Sequence, residues 1–205
     1  MNSRSQIYLI VCIIIIILSL SLLSAFEPLY VDVVEEDRIV MLYQLESIAI
    51  EALAYGSTKY VMNNIALNQA FLQYVRNALY VLNHTGVFKG KADKISIACS
   101  LVIGKSYNVT YIKLYRITYS FSSLNGTYIV HLDVLNVDRS GIYPVIEIRY
   151  YHYSSLTPSM IRIRSLEVIG GIILRNNDTV FTITALSKNI IMKDDLGIVT
   201  FLRID

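Results

Sequence analysis

The stretch ISIACSLVI, Ile95 to Ile103, decides the fold: Ile95, Ile97, Cys99, Leu101 and Ile103 alternate with Ser96, Ala98, Ser100 and Val102. Successive side chains of a strand point to opposite faces, so a period of two predicts a strand with one covered and one open face. Gly104-Lys105-Ser106 is expected to turn the chain. Downstream the same signal recurs. A long strand is expected over 108–121 and its return over 128–137, across a connection containing Asn125-Gly126, a dipeptide suited to hairpin turns. Asp138-Arg139-Ser140-Gly141 marks another turn, and strands are expected over 145–153, 161–169, 180–186, 190–193 and 198–203. Pro144 and Pro158 fall at strand edges or in loops. Short strands with regular turns predict an antiparallel β-sheet or sandwich for residues 87–205.

Upstream of this stretch the period is helical. Glu35, Glu36 and Asp37 suit the acidic first turn of a helix that runs to about Tyr55, with Gly56-Ser57 as a stop or bend. A second helix is expected over 58–82, closed by Asn83-His84-Thr85-Gly86. In it Val61, Ile65, Asn68, Leu72, Val75, Leu79 and Leu82 form a coiled-coil-like seam, and Leu67, Phe71, Tyr74, Ala78 and Val81 form a parallel row beside it. A stripe that broad fits a helix laid on a sheet or in a bundle better than a narrow coiled-coil seam. Residues 28–86 therefore read as a helical region between the β domain and the N-terminal segment.

That segment, Ile7 to Phe26, holds twenty consecutive residues without a charge, Ile13 to Ile17 among them. As a helix it would be about 30 Å long, enough for a bilayer's hydrocarbon core. Residues 1–27 thus read as a membrane span and the chain as a single-pass α+β membrane protein. A cut after Ala25 would put Leu23 at the minus-three position, and a cut after Ser24 would put Leu22 there, so a retained anchor is favoured over a removable secretory signal. Arg4 and Arg38 nearly balance across the span. Four N-x-[ST] sequons after it, at Asn83, Asn108, Asn125 and Asn177, favour an extracellular C-terminal domain, because such sequons are glycosylated only outside the cytoplasm.

Charge is uneven. Seven acids against Arg38 occupy residues 27–51, whereas sixteen Lys or Arg oppose nine Asp or Glu from Ala52 onward. An acidic neck and a basic head could pair between copies, although two solvated surfaces of opposite sign explain the pattern more simply. Cys12 lies in the span and Cys99 in a strand, which leaves no disulfide framework and no Cys/His metal spacing.

Motifs for chemistry are sparse, and neither an enzymatic activity nor a cofactor is expected. Gly104-Lys105-Ser106 resembles the end of a phosphate-binding loop, but Cys99 stands where the loop's first glycine is needed. His131 and Asp133 share one strand face, too few ligands for a metal site. Glu46 and Glu51, five apart, diverge around a helix and form no acid–base pair. His84 lies in the helix-ending loop, and His152 sits in an aromatic cluster with Tyr150, Tyr151 and Tyr153. Tyr107, Tyr111, Tyr115 and Tyr119 are expected on one strand face with Lys113, where they could stack bases or sugars; tyrosine's strand preference explains them more simply, and nucleic acid is not an expected partner. Arg162 and Arg164 are expected on an exposed strand face.

Arg4-Ser5-Gln6 ahead of the apolar run resembles the processing site of archaeal type IV pilin-like proteins: a basic residue, a small residue, then the first mature residue and a hydrophobic helix. The resemblance implies cleavage between Ser5 and Gln6 by a prepilin peptidase. It also implies packing of the N-terminal helix with other pilin-like subunits and a β-rich, often glycosylated head. The chain lacks the early glutamate of many bacterial pilins and inserts about 50 helical residues between anchor and head, departures that suit a minor or accessory subunit. The alternative is a permanently anchored single-pass extracytoplasmic scaffold or ligand-binding module, and on either reading the lipid bilayer is a partner.

Overall fold

The computed structural model describes residues 38–85, 95–158, 160–161 and 163–205. The expected span, Ser5, Gln6, Cys12 and Arg162 lie outside the described residues. Chain contacts separate Met1–Met41 from a second compact unit, Leu42–Asp205. From Leu42 onward the helices and the sheet belong to one unit, so residues 42–85 of the region expected as a neck pack with the β domain.

Helix α1 runs over Arg38–Asn63 and α2 over Leu67–His84. By length and composition α1 could cross a membrane, yet half of its most apolar window is buried. Within the unit its covered face is Leu45, Ala49, Ala52, Leu53 and Gly56, spaced at three and four residues as a core-facing stripe requires. The expected break at Gly56-Ser57 does not occur. Gly56 stays helical because α2 crosses there: a Cβ on Gly56 would lie 3.2 Å from Leu67 Cδ1 and 3.4 Å from Phe71 Cβ. The chain breaks instead at Asn64, in the left-handed region at φ 56°, a conformation asparagine tolerates better than most residues.

Ten strands follow: β1 Ile95–Ser106, β2 Val109–Phe121, β3 Leu124–Asp138, β4 Val145–Ser154, β5 Met160–Ile161, β6 Leu166–Ile169, β7 Gly171–Asn177, β8 Val180–Ala185, β9 Asn189–Asp194 and β10 Val199–Ile204. They form a single antiparallel sheet in the order β6-β9-β10-β2-β3-β4-β8-β7, with β1 added on β2 and β5 on β4. The sequence left sheet and sandwich open; the pairing gives one sheet, and it curls almost into a barrel. Its two ends, β6 and β7, are consecutive in the chain and separated by Gly170 alone. Gly170, at φ +84°, accepts hydrogen bonds from Leu186 N (2.9 Å) and Ser187 N (3.0 Å), drawing the two ends together.

Two strands have a divided side. The side of β2 away from β1 pairs with β10 at 109–111 and with β3 at 114–121. Lys113 falls between these segments and has no cross-strand partner in β1, because Val102 opposes Leu114 while Ile103 opposes Ile112. The side of β4 away from β3 pairs with β8 at 145–149 and with β5 at 152–153.

Local turns differ from the sequence expectation in two places. Gly104-Lys105-Ser106 continues β1, and the turn comes at Tyr107-Asn108, both at positive φ. Asn125-Gly126 lies inside β3, and the hairpin turns at Ser122-Ser123. Gly126 serves close packing: a Cβ there would run into the Tyr119 ring. The expected strand over 161–169 is interrupted between β5 and β6, and β7 has no counterpart in the sequence reading.

Candidate functional site

Among the described residues, the inner wall of the sheet carries most of the buried polar side chains. β4 alternates strictly, so Ile146, Ile148, Tyr150, His152 and Ser154 all point inward. On the facing strands Tyr128 of β3, Asp194 of β9 and Glu46 of α1 complete a polar seam through an apolar core. Buried polar groups are costly unless each finds a partner.

Asp194 satisfies that demand with four donors. Its Oδ2 accepts from the Tyr150 hydroxyl at 2.7 Å and lies 3.0 Å from His152 Nε2. Its Oδ1 accepts from the backbone N–H groups of Leu196 and Ile198, both at 2.9 Å, which fixes the turn between β9 and β10. His152 Nδ1 is 2.8 Å from the Tyr128 hydroxyl. An imidazole that donates from Nε2 to the carboxylate leaves Nδ1 to accept from Tyr128, so one tautomer serves all three residues.

Tyr128, His152 and Asp194 thus line up as hydroxyl, imidazole and carboxylate, the order of a nucleophile, its base and an orienting acid. Two features oppose nucleophilic use. The Tyr128 side chain is fully buried, so its oxygen meets no solvent-borne substrate. Burial, reinforced by Asp194 and Glu46, pushes the Tyr128 phenol well above its ordinary range and holds the proton on. The Tyr150 phenol is pushed up by burial and by Asp194 as well. An activated nucleophile needs the opposite shift.

A second cluster joins α1 to the sheet. Glu46 Oε2 accepts a short hydrogen bond from the Tyr119 hydroxyl and another from Ser154 Oγ at 3.0 Å. Burial and the Glu46 carboxylate raise the Tyr119 phenol. Glu51 points elsewhere and accepts from the Tyr74 hydroxyl of α2 at 2.7 Å, so the two glutamates diverge as their spacing requires. Ser57 Oγ accepts from Val199 N at 3.0 Å, and the Tyr115 hydroxyl donates to Val199 O at 2.8 Å, adding two more ties around the same core.

Where β4 passes from β8 to β5 the wall opens into a cleft of about 940 Å³ lined by His152, Ile161, Ile163, Arg164, Ser165, Asp195 and Leu196. It combines apolar walls with one basic and one acidic side chain at its rim. Among the described residues no group of three His, Cys, Asp or Glu could hold a metal.

Other residues singled out from sequence separate from this site. His131 Nδ1 lies 3.4 Å from Asp133 Oδ2, on one strand face as expected, and both side chains are half-buried. Burial pushes the His131 imidazole below its ordinary value, and the Asp133 charge opposes that shift. The four tyrosines do not share a face. Lys113 interrupts the register, so Tyr111 falls out of phase with Tyr115 and Tyr119 and places its hydroxyl near Val134 and Asp133. Tyr111, Tyr115 and Tyr119 are buried and Tyr107 is exposed in a turn, which removes the expected stacking platform. Arg164 is exposed in a bend, outside any strand. His84 ends α2 on the surface and stacks on Tyr80, with ring centroids 4.0 Å apart. All four sequon asparagines, Asn83, Asn108, Asn125 and Asn177, are exposed.

The His152–Asp194 pairing had no local signal, since the partners lie 42 positions apart and meet only because β4 and β9 face each other across the curled sheet. The chain matches no protein-family model, no curated protein and no solved structure.

Proposed function

We propose that the chain is a membrane-anchored extracytoplasmic structural protein, a minor or accessory pilin-like subunit of a surface filament or of its assembly system, and not an enzyme. The single observation that carries the structural reading is the placement of the buried polar groups. The Asp194 carboxylate is occupied by four donors, and Glu46 is spent joining a helix to the sheet. Groups committed in that way stiffen a core and leave little to offer a substrate. Exposure of all four sequon asparagines supports a domain that faces the outside, where glycans occupy solvent and not the core. The pilin-like part rests on Arg4-Ser5-Gln6 and the uncharged run Ile7 to Phe26.

Intact mass of the native protein from separated membrane and sheared-filament fractions tests this reading. Loss of residues 1–5, added glycan mass and recovery in filaments are the expected result. A full-length chain confined to the membrane removes the filament role and leaves a permanent anchor.

The cleft beside His152 favours a second reading, an anchored ligand-binding module. Arg164 and Asp195 at its rim would then orient a small polar ligand between the apolar walls. Isothermal titration with a library of small zwitterions and sugars tests it, and heat released by one class but lost in an Arg164→Ala variant is the expected signature.

A further inference from the structure

We propose that the open edge of β1 pairs antiparallel with β1 of a second copy, placing the two α2 helices side by side across the same two-fold axis. The inference rests on the structural reading above and names its partner. Among the described residues β1 pairs with β2 on one side only, so its other edge presents a row of backbone donors and acceptors along a twelve-residue strand. Natural edge strands are protected by charge, proline, bulges or shortness. From Ile95 to Gly104 this edge has no charge and no proline, and its single irregularity lies near the far end, between Val102 and Ile103.

A partner identical to itself fits this edge for a geometric reason. The row Ile95, Ile97, Cys99 and Leu101 is half-covered, while Ser96, Ala98 and Ser100 are open. Pairing must keep covered row beside covered row, so paired residue numbers must share parity, and a two-fold axis relating identical antiparallel strands then passes through a residue position. Cys99 lies at the middle of the regular segment. With the axis there, Ile97 opposes the partner copy's Leu101 and Ala98 opposes its Ser100, which places apolar against apolar on one face and small against small on the other.

The helix above the edge points to the same occupant. α2 touches β1 and buries Leu67, Ala70, Phe71 and Val75; Leu67 and Phe71, which also lie against Gly56 of α1, belong to the row beside the coiled-coil-like seam, and Val75 belongs to the seam itself. On α2 the rest of that seam is left open or half-open, Leu72 being 39% exposed, and Tyr80 and Val81 farther along the helix are 65% and 56% exposed. Extending a sheet across a two-fold axis puts the helices that cover its edge strands on one common face and next to each other, so strand pairing and helix pairing would proceed together. Arg76 is the only Lys, Arg, Asp or Glu of α2. A neutral helix over a neutral edge lets a second copy approach without like-charge repulsion, while a charged partner would gain no steering from it.

The test uses the full-length chain in detergent micelles, with oligomeric state read by light scattering across a dilution series. The expected result is a dimer whose dissociation constant rises about tenfold or more in Ala98→Lys and in Ser100→Lys. Both positions are exposed, so the variants should keep the wild-type circular dichroism and melting temperature. In a Cys12→Ser, Cys99→Ser background, a tagged Ala98→Cys copy mixed with a Ser100→Cys copy should form a disulfide-linked heterodimer, because directly opposed Cα atoms lie about 5 Å apart. A monomer at every concentration overturns the proposal, as does a dimer indifferent to both lysines or a pair of cysteines that never link. The anchor and processing readings fail separately: an anchored monomer overturns the strand pairing alone, and a dimer released from membranes overturns the anchor alone.

Discussion

The inner wall at Tyr150–His152–Asp194 and the outer margin at β1 and α2 invert the usual distribution of chemistry. On the inner wall Tyr128, Tyr150, His152 and Asp194 are buried and bound to one another. The outer margin is open and nearly uncharged, with Leu72, Tyr80, Val81, Val102 and Ile103 among its exposed residues. Buried polar residues that satisfy one another specify a unique packing, while exposed apolar rows mark contact surfaces. The difference teaches that reactive residue types alone are poor evidence of reaction; access decides.

The largest expected effect comes from breaking the inner wall at its hub. Asp194→Ala leaves the Tyr150 hydroxyl, His152 Nε2 and two backbone N–H groups without their acceptor, and it should destabilise the fold by about 3–5 kcal/mol in urea unfolding. If Asp194→Ala unfolds at the wild-type midpoint, the closed wall does not hold the core.

Glu46→Leu sharpens the comparison, because it replaces the charge yet strands the Tyr119 and Ser154 hydroxyls. A loss of about 1–3 kcal/mol is expected by the same measurement. Gly126→Ala should cost about 1–3 kcal/mol in thermal melts, since the added methyl displaces the Tyr119 ring that reaches Glu46.

On the outer margin Leu72→Ser should change stability by less than about 0.5 kcal/mol. A large destabilisation would mean that the exposed seam already has a partner within the chain.

The smallest effect is electrostatic. Lys105 Nζ, 2.8 Å away, together with Thr110 and Arg203, holds the Asp205 carboxyl down at about 2, below its ordinary 3.8. A depressed carboxyl stabilises the fold above its unfolded value and loses that contribution as pH falls toward about 2. Asp205→Asn should therefore lower the melting temperature slightly at pH above about 3.8 and match the wild type as pH falls toward about 2.

Much of the sheet was legible because burial alternates where sequence alternates, as in β1, β4 and β8. Legibility failed where a residue's role depended on a distant neighbour. Gly56 and Asn125-Gly126 both read as breaks from local chemistry, but Gly56 makes room for Leu67 and Phe71, and Gly126 makes room for Tyr119. Strand β7 was invisible for a different reason: its burial follows no alternation beyond Leu174, since it ends the sheet with little covering it.

The even spacing of Tyr107, Tyr111, Tyr115 and Tyr119 predicted one face, and the irregularity at Lys113 split it. No reading of β2 alone finds that irregularity, because register is a property of two strands. The candidate site was less legible still. Glu46 meets Tyr119 and Ser154 across 73 and 108 positions, and His152 meets Asp194 across 42.

The sequence by itself determined most of the element types, the α+β order, the uncharged run Ile7 to Phe26, the absence of a disulfide framework and the scarcity of chemical motifs. Each of these follows from composition or from the spacing of near neighbours, which periodicity records. Tertiary structure alone decided which residues of the broad α2 stripe are covered, that the sheet curls instead of splitting in two, and that His152 and two carboxylates are held inside. Those outcomes depend on which distant surfaces meet, and burial energy, summed over partners far apart in the chain, selects among faces that local sequence leaves nearly equivalent.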